Sequence, residues 1–229
     1  KLEQVLAELF QQPVELTASG RTDAGVHAWA QPANFVVETD LSAREVLEEL
    51  NRRLPADLAV VRAREAAPRF HSRLGAKWKH YRYTVRAAAK PDVFRRDHQW
   101  HVEGTLSGKA MREAATALFG EHDFAAFTDK KLKDKSTVRK LYLVEITGKE
   151  LPDDVPGALE WTFDYFGNSF LNHMVRLLTG ALVAAGQGRL GKEALRQMLE
   201  TGERTEAVTL APAQGLMLME VGYEAWQPR

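Results

Sequence analysis

The segment SFLNHMVRLLTGALVAAG, Ser169 to Gly186, is apolar around most of a helical circumference. Such a helix has no broad face to give to water, so it must lie inside a core. Just before it, Leu159, Trp161, Phe163 and Tyr165 alternate with other residues, the period of a strand with one buried face. A sheet packed against a buried helix is therefore the minimum architecture. Into that helix the sequence places Arg176. With the helix starting at Ser169, the residues Ser169, His173, Arg176 and Gly180 fall on one stripe, at spacings of four, three and four. An unpaired buried guanidinium would cost several kcal/mol, roughly. Arg176 must either meet a carboxylate or phosphate, or carry its head to solvent.

The rest of the chain reads as alternating helices and strands. Leu2, Val5, Leu6 and Leu9 recur at helical spacing. PVELTAS reads as a strand, and AWAQPANFVVET as a second, with Pro32 marking an edge or bulge. Ser42 and Glu45 form a capping box for a helix with an apolar stripe of Val46, Leu47, Leu50 and Leu54, stopped by Pro55. LAVVRAREA reads as a further strand. This order, α-β-β-α-β, is a ferredoxin-like unit without its first strand. After a connector, KWKHYRYTVRA reads as a strand, Leu106–Phe119 as a helix ended by Gly120, and TVRKLYLVEITGKE and ALEWTFDYF as strands paired around the turn LPDDVPG. The buried helix, a short helix at Ala194–Leu199 and the strand GLMLMEVGYEA complete a second β-α-β-β-α-α-β half. The expected fold class is α+β: two ferredoxin-like halves, residues 1–70 and 71–229, with mostly antiparallel sheets joined around a central cleft.

Between the first two strands lies SGRTDAGVHA. A turn needs a glycine or two, and aspartate and glycine suit turn geometry. The pair Arg21 and Asp23 allows a second reading: a carboxylate presented on a rigid loop, with glycines clearing space for a ligand. Arg69 to Arg86 holds six lysines or arginines and no acidic residue, interleaved with Trp78, Tyr81 and Tyr83. Cations neutralise phosphates and aromatic faces stack unpaired bases. An amphipathic strand with Trp78 in the core would look the same. Lys130–Lys140 is a second basic cluster, of the kind that is usually solvated surface.

Composition narrows the chemistry. The 31 basic and 31 acidic residues cancel, so any nucleic-acid affinity must come from charge gathered on one face. With no cysteine there are no disulfides, thiolate nucleophiles or Cys-ligated zinc. His98 and His101, and Glu121 to Asp123, are ligand-type residues without the spacing of a metal motif. No Walker loop, nucleophile elbow or dinucleotide fingerprint is present. No apolar run reaches the ~18 residues of a membrane span, and no secretory signal pattern opens the chain.

Four motifs in order, GRTDAGVHA (Gly20 to Ala28), FHSR with KHYRY (Phe70 to Tyr83), GEHDFAAF (Gly120 to Phe127) and NHMVR (Asn172 to Arg176), resemble the tRNA pseudouridine synthase I, or TruA, family. The six residues GRTDAG match the signature around that family's essential aspartate. Family members open with a strand and a Tyr-Asp-Gly segment that this sequence does not contain, which reads as a truncated start. The resemblance implies that Asp23 is the catalytic carboxylate and nucleophile, that Arg21 supports the backbone or takes the place of an extruded nucleotide, that Tyr81 stacks on the target uracil, and that Arg176 pairs with Asp23. It further implies a cytoplasmic homodimer without cofactor or metal, acting on uridines 38 to 40 in the anticodon arm of tRNA. A non-catalytic RNA-binding module built on the same strip is the alternative. A metal hydrolase using the histidines is more distant.

Overall fold

The computed structural model describes residues 1–129, 136–151 and 158–227. All but the first residue of the expected turn LPDDVPG, and the first six residues of the Lys130–Lys140 cluster, lie outside them. The chain divides into two compact units. One comprises Lys1–Arg21 and Ala30–Ala76, the other Thr22–Trp29 and Lys77–Arg229. The loop that follows Arg21 thus clusters with the second unit.

The first part of the chain contains α1 (Leu2–Phe10), β1 (Thr17–Ala18), β2 (His27–Ala28), β3 (Ala33–Asn34) and α2 (Ala43–Arg53). Within the first unit, α1 and α2 share a core of Val5, Leu6, Val14, Val46 and Leu50. The expected capping box is formed. Ser42 Oγ accepts from the Glu45 amide at 3.3 Å, and Glu45 returns a carboxylate oxygen to the Ser42 amide at 2.8 Å. The strands are much shorter than their sequence pattern. PVELTAS and AWAQPANFVVET contribute to this unit one two-residue antiparallel ladder, β1 with β3. LAVVRAREA forms no strand. Most of its residues are exposed, and the backbone of Val60 is satisfied by a side chain: Asn51 donates to the Val60 carbonyl and accepts from its amide, both at 2.8 Å. A backbone satisfied in that way has less need of a neighbouring strand.

The second unit continues with β4 (Trp78–Ala87), β5 (Trp100–Val102), α3 (Gly108–Ala115), β6 (Gly120–Asp123), β7 (Val138–Glu150), β8 (Leu159–Gly167), α4 (Met174–Gly186), α5 (Lys192–Thr201) and β9 (Leu216–Gly222). Its sheet runs β2-β9-β4-β8-β7-β6, with β5 beside the far end of β4. The long neighbours are antiparallel; the short pairs β2 with β9 and β4 with β5 are parallel. The sheet is therefore mostly antiparallel and the fold α+β. The short strands β5 and β6 have no counterpart in the sequence reading, because three or four residues carry too little periodicity to register.

The alternation in β8 is observed as a buried face: Phe163 and Tyr165 have no exposed surface and Trp161 is 5% exposed. Tyr83 and Val85 of β4 are equally enclosed. Twelve of the 13 residues of α4 are buried, and the exception is Arg176. At Gly180 an added Cβ would stand 1.8 Å from the Thr209 carbonyl oxygen, so the helix is touched there by backbone, not by a side chain. The helix does not start at Ser169. His173 adopts left-handed backbone (φ 62°), which interrupts helical propagation, and α4 begins at Met174. Ser169 to Asn172 form the approach, where the Asn168 side chain accepts from the Ser169 and Lys140 amides.

Candidate active site

The loop Thr22–Trp29 is a turn followed by a strand. The Val26 amide donates to the Asp23 carbonyl at 3.1 Å, and Gly25 takes φ +82° in the turn's third position. That conformation favours glycine and defines a type II turn. Here the turn reading of Gly25 holds. Immediately after the turn, β2 pairs in parallel with β9, and the Trp29 amide donates to the Leu218 carbonyl, which anchors the loop to the sheet.

This anchoring sets the Asp23 carboxylate, 28% exposed, among three side chains at the start of α4. Arg176 Nη1 donates to Oδ2 at 3.1 Å. Asn172 Nδ2 donates to Oδ1 at 3.3 Å. His173 Nε2 lies 3.3 Å from Oδ2. Arg176 is held at its other edge as well, since its Nε donates to the Ala211 carbonyl at 2.7 Å. The Ala211 amide returns a bond to the Arg176 carbonyl. A guanidinium fixed at two points is a directed donor, not a freely moving charge. Of the two possibilities open at Arg176, a carboxylate partner is the one realised.

Tyr81 lies beside this carboxylate. Its ring is 9% exposed and meets Phe170 edge-on at 5.1 Å between centroids. Burial first, and the Asp23 charge second, push its phenol up to about 12, so the hydroxyl stays protonated at neutral pH. The register of β4 against β9 shifts between His80 and Tyr81. Bulges of this kind re-aim side chains. Tyr83, one step further on the same face, donates its hydroxyl to the Pro212 carbonyl at 2.6 Å, which pins the segment that also carries Ala211.

Arg21 is exposed and groups with the first unit. Asp23, Arg176 and Tyr81 are thus brought together within the second unit. Of the basic strip, Arg82 is tied to Asp164 by two donations, at 2.9 and 3.2 Å, and Arg86 is buried. Arg69, Arg73 and Lys77 are exposed. His80 stacks on Phe166 at 4.0 Å and meets Asp164 at 2.5 Å, so it belongs to the interior and not to a basic surface. The proposed ligand-type histidines are otherwise engaged: His101 and His122 each contact a main-chain carbonyl, and His98 packs on His27 at 4.5 Å. Among the described residues no helix is long and apolar enough to cross a membrane.

Asn172 and His173 are not marked as site residues by pattern alone. The signal that could place them is the pair itself, two polar side chains at the head of an otherwise apolar helix. Asp129, which meets His173 Nδ1 at 2.7 Å, carries no such signal, because the two residues are 44 positions apart in sequence.

A family profile described as tRNA pseudouridine synthase matches residues 114–224. The tRNA pseudouridine synthase A of Geobacter sulfurreducens is 42% identical over 222 residues, covering 97% of this chain and 88% of that protein. The chain belongs to the tRNA pseudouridine synthase family. The family's tRNA pseudouridine synthase A of Geotalea daltonii is 39% identical with the same coverage. In Bacillus cereus, tRNA pseudouridine synthase A 2 is 38% identical over 223 residues, again 97% and 88% of the two chains.

Proposed function

We propose that this protein isomerises uridine to pseudouridine in tRNA, with Asp23 as the reacting carboxylate. The observation that carries this reading is the Arg176–Asp23 ion pair, 3.1 Å long, in a chain of this family. The reaction breaks the bond between N1 and C1′, turns the uracil and joins C5 to C1′. The C5 proton leaves and N1 gains one, so neither oxidant nor external nucleophile is consumed. Asp23 serves either as nucleophile at C1′ or as base at C2′, and both roles need the same placement. Arg176, fixed at both edges, holds and aims the carboxylate while the base is enclosed.

The target nucleoside must leave its stack, which costs a few kcal/mol, and one aromatic contact returns about 1–3 kcal/mol. Tyr81 is assigned that contact, and Arg21 the backbone beside it. The anticodon arm, uridines 38 to 40, a cytoplasmic homodimer and the absence of any cofactor or metal are carried over from the family resemblance. The two ferredoxin-like halves, divided near residue 70, come instead from the order of helices and strands expected from the sequence. The second unit supports this through its strand order, in which the last strand, β9, lies beside β4, followed by β8 and β7. A non-catalytic RNA-binding module would gain nothing from a carboxylate held by arginine in front of phosphates, and it has no support from the relatives. The test is to incubate the protein with unmodified tRNA and map pseudouridine by position. Conversion at 38 to 40 is expected; none at any uridine would overturn the reading.

A further inference from the structure

His173 faces a carboxylate at each ring nitrogen. Nε2 lies 3.3 Å from Asp23 Oδ2, and Nδ1 lies 2.7 Å from Asp129 Oδ2. The second oxygen of Asp129 accepts from Arg204 Nη2 at 2.7 Å. The result is a line of four side chains, Asp23, His173, Asp129 and Arg204, drawn from four separate stretches of chain. Asp129 follows the 3-10 turn Ala125–Phe127, and Arg204 follows the Gly202 cap of α5 (φ 72°). These two stretches also meet directly, since a Cβ at Gly202 would lie 3.5 Å from that of Ala125.

We propose that Asp129 and Arg204 are positioning residues for catalysis: through His173 they fix the orientation of the Asp23 carboxylate. The proposal rests on the functional reading above. The shorter contact is the outer one, so Asp129 is the residue that sets the plane of the ring. Arg204 occupies the other Asp129 oxygen and leaves a single oxygen for the imidazole. The ring, so held, presents Nε2 to Asp23. A neutral imidazole has one N–H and can donate to only one of the two carboxylates, whereas an imidazolium donates to both. The charged groups around the ring are Asp23, Asp129, Arg176 and Arg204, two of each sign. With a proton on both ring nitrogens, Oδ2 of Asp23 is held between donors from Arg176 and His173. Oδ1, which among the described residues meets the Asn172 amide at 3.3 Å, is the oxygen left for the sugar.

The left-handed backbone of His173 fits this role. That conformation is uncommon outside glycine, though His tolerates it better than most residues. The ring carried by this residue meets Asp129 at Nδ1.

The experiment is a double-mutant cycle of Asp129→Asn and His173→Gln, read as turnover and KM on unmodified tRNA, with thermal midpoints of all variants. Partners that orient a metal-bound imidazole typically affect activity 10–100-fold; by the same logic Asp129→Asn should lower kcat roughly tenfold or more with KM within about twofold. In the His173→Gln background the same change should do nothing further. Arg204→Lys should retain more activity than Arg204→Gln. An equal loss in both backgrounds, a loss confined to KM, or no loss would overturn the proposal. A second measurement needs neither a variant nor turnover. The imidazole 15N spectrum of the wild-type protein should show a proton on both His173 ring nitrogens; a ring protonated at only one of them contradicts the bridge. Absence of turnover in the wild type would instead sink the functional reading, leaving the ring spectrum to judge the Asp129 contact.

Discussion

Arg176 reaches Asp23 across 153 positions of sequence to form a 3.1 Å ion pair, and it is the one residue of α4 that is not buried. The helix is therefore not interrupted by a stray polar group. Its single cation is aimed at the single carboxylate of the GRTDAG loop.

Removing that cation leaves Asp23 three-quarters enclosed without its charged partner. Arg176→Ala should destabilise the protein by roughly 2–3 kcal/mol, less than for a fully buried pair because Asp23 keeps some contact with water. For a chain of this size that is a fall of several degrees in Tm. Turnover should fall with it. A variant with unchanged Tm would show that the pair contributes nothing to folding.

At Gly180 the backbone of the segment that supplies the Ala211 carbonyl lies against α4. A methyl group there would meet the Thr209 carbonyl at 1.8 Å, a contact neither backbone can relieve by rotating a side chain. Gly180→Ala should destabilise by about 1–3 kcal/mol or more, and should reduce activity by displacing the carbonyl that braces Arg176. Urea unfolding and turnover of the variant check this. Wild-type values of both would contradict the close approach.

Tyr81 gives a prediction at alkaline pH. Its phenol is raised in the folded state to about 12, chiefly by burial, against 10 when unfolded. The folded protein therefore holds this proton more tightly. The stabilisation is complete below pH 10 and is lost as pH rises through 12, because the unfolded chain ionises first. Two units correspond to roughly 3 kcal/mol. Tyr83 and Tyr165 are shifted upward as well, again mainly by burial, and add to the same limb. Tyr81→Phe should flatten the fall of the urea midpoint between pH 10 and 12. Equal slopes for wild type and variant would contradict the burial of this hydroxyl.

The parts of this molecule readable from sequence are those with long periodicity or an electrostatic demand. The alternation of Leu159 to Tyr165 marks the buried face of β8, the Ser42–Glu45 box locates the start of α2, and Arg176 in an apolar helix poses a choice between an anion and solvent that the fold decides. Three things are not readable. Strand-like composition around Val14 and Val60 does not produce long strands, because pairing depends on partners that local sequence does not specify. The start of α4 is displaced by one left-handed residue, His173, which no propensity announces. Asp129 lies in an ordinary acidic and basic stretch, and only the fold brings it to His173.

The most direct measurement is pseudouridine formation by Asp23→Asn, which keeps the shape of the side chain and removes its charge. Single-turnover assays on unmodified tRNA should detect no product, while tRNA affinity stays within about tenfold of wild type, or 1.4 kcal/mol. Product formed at an appreciable fraction of the wild-type rate would contradict a reacting carboxylate at residue 23.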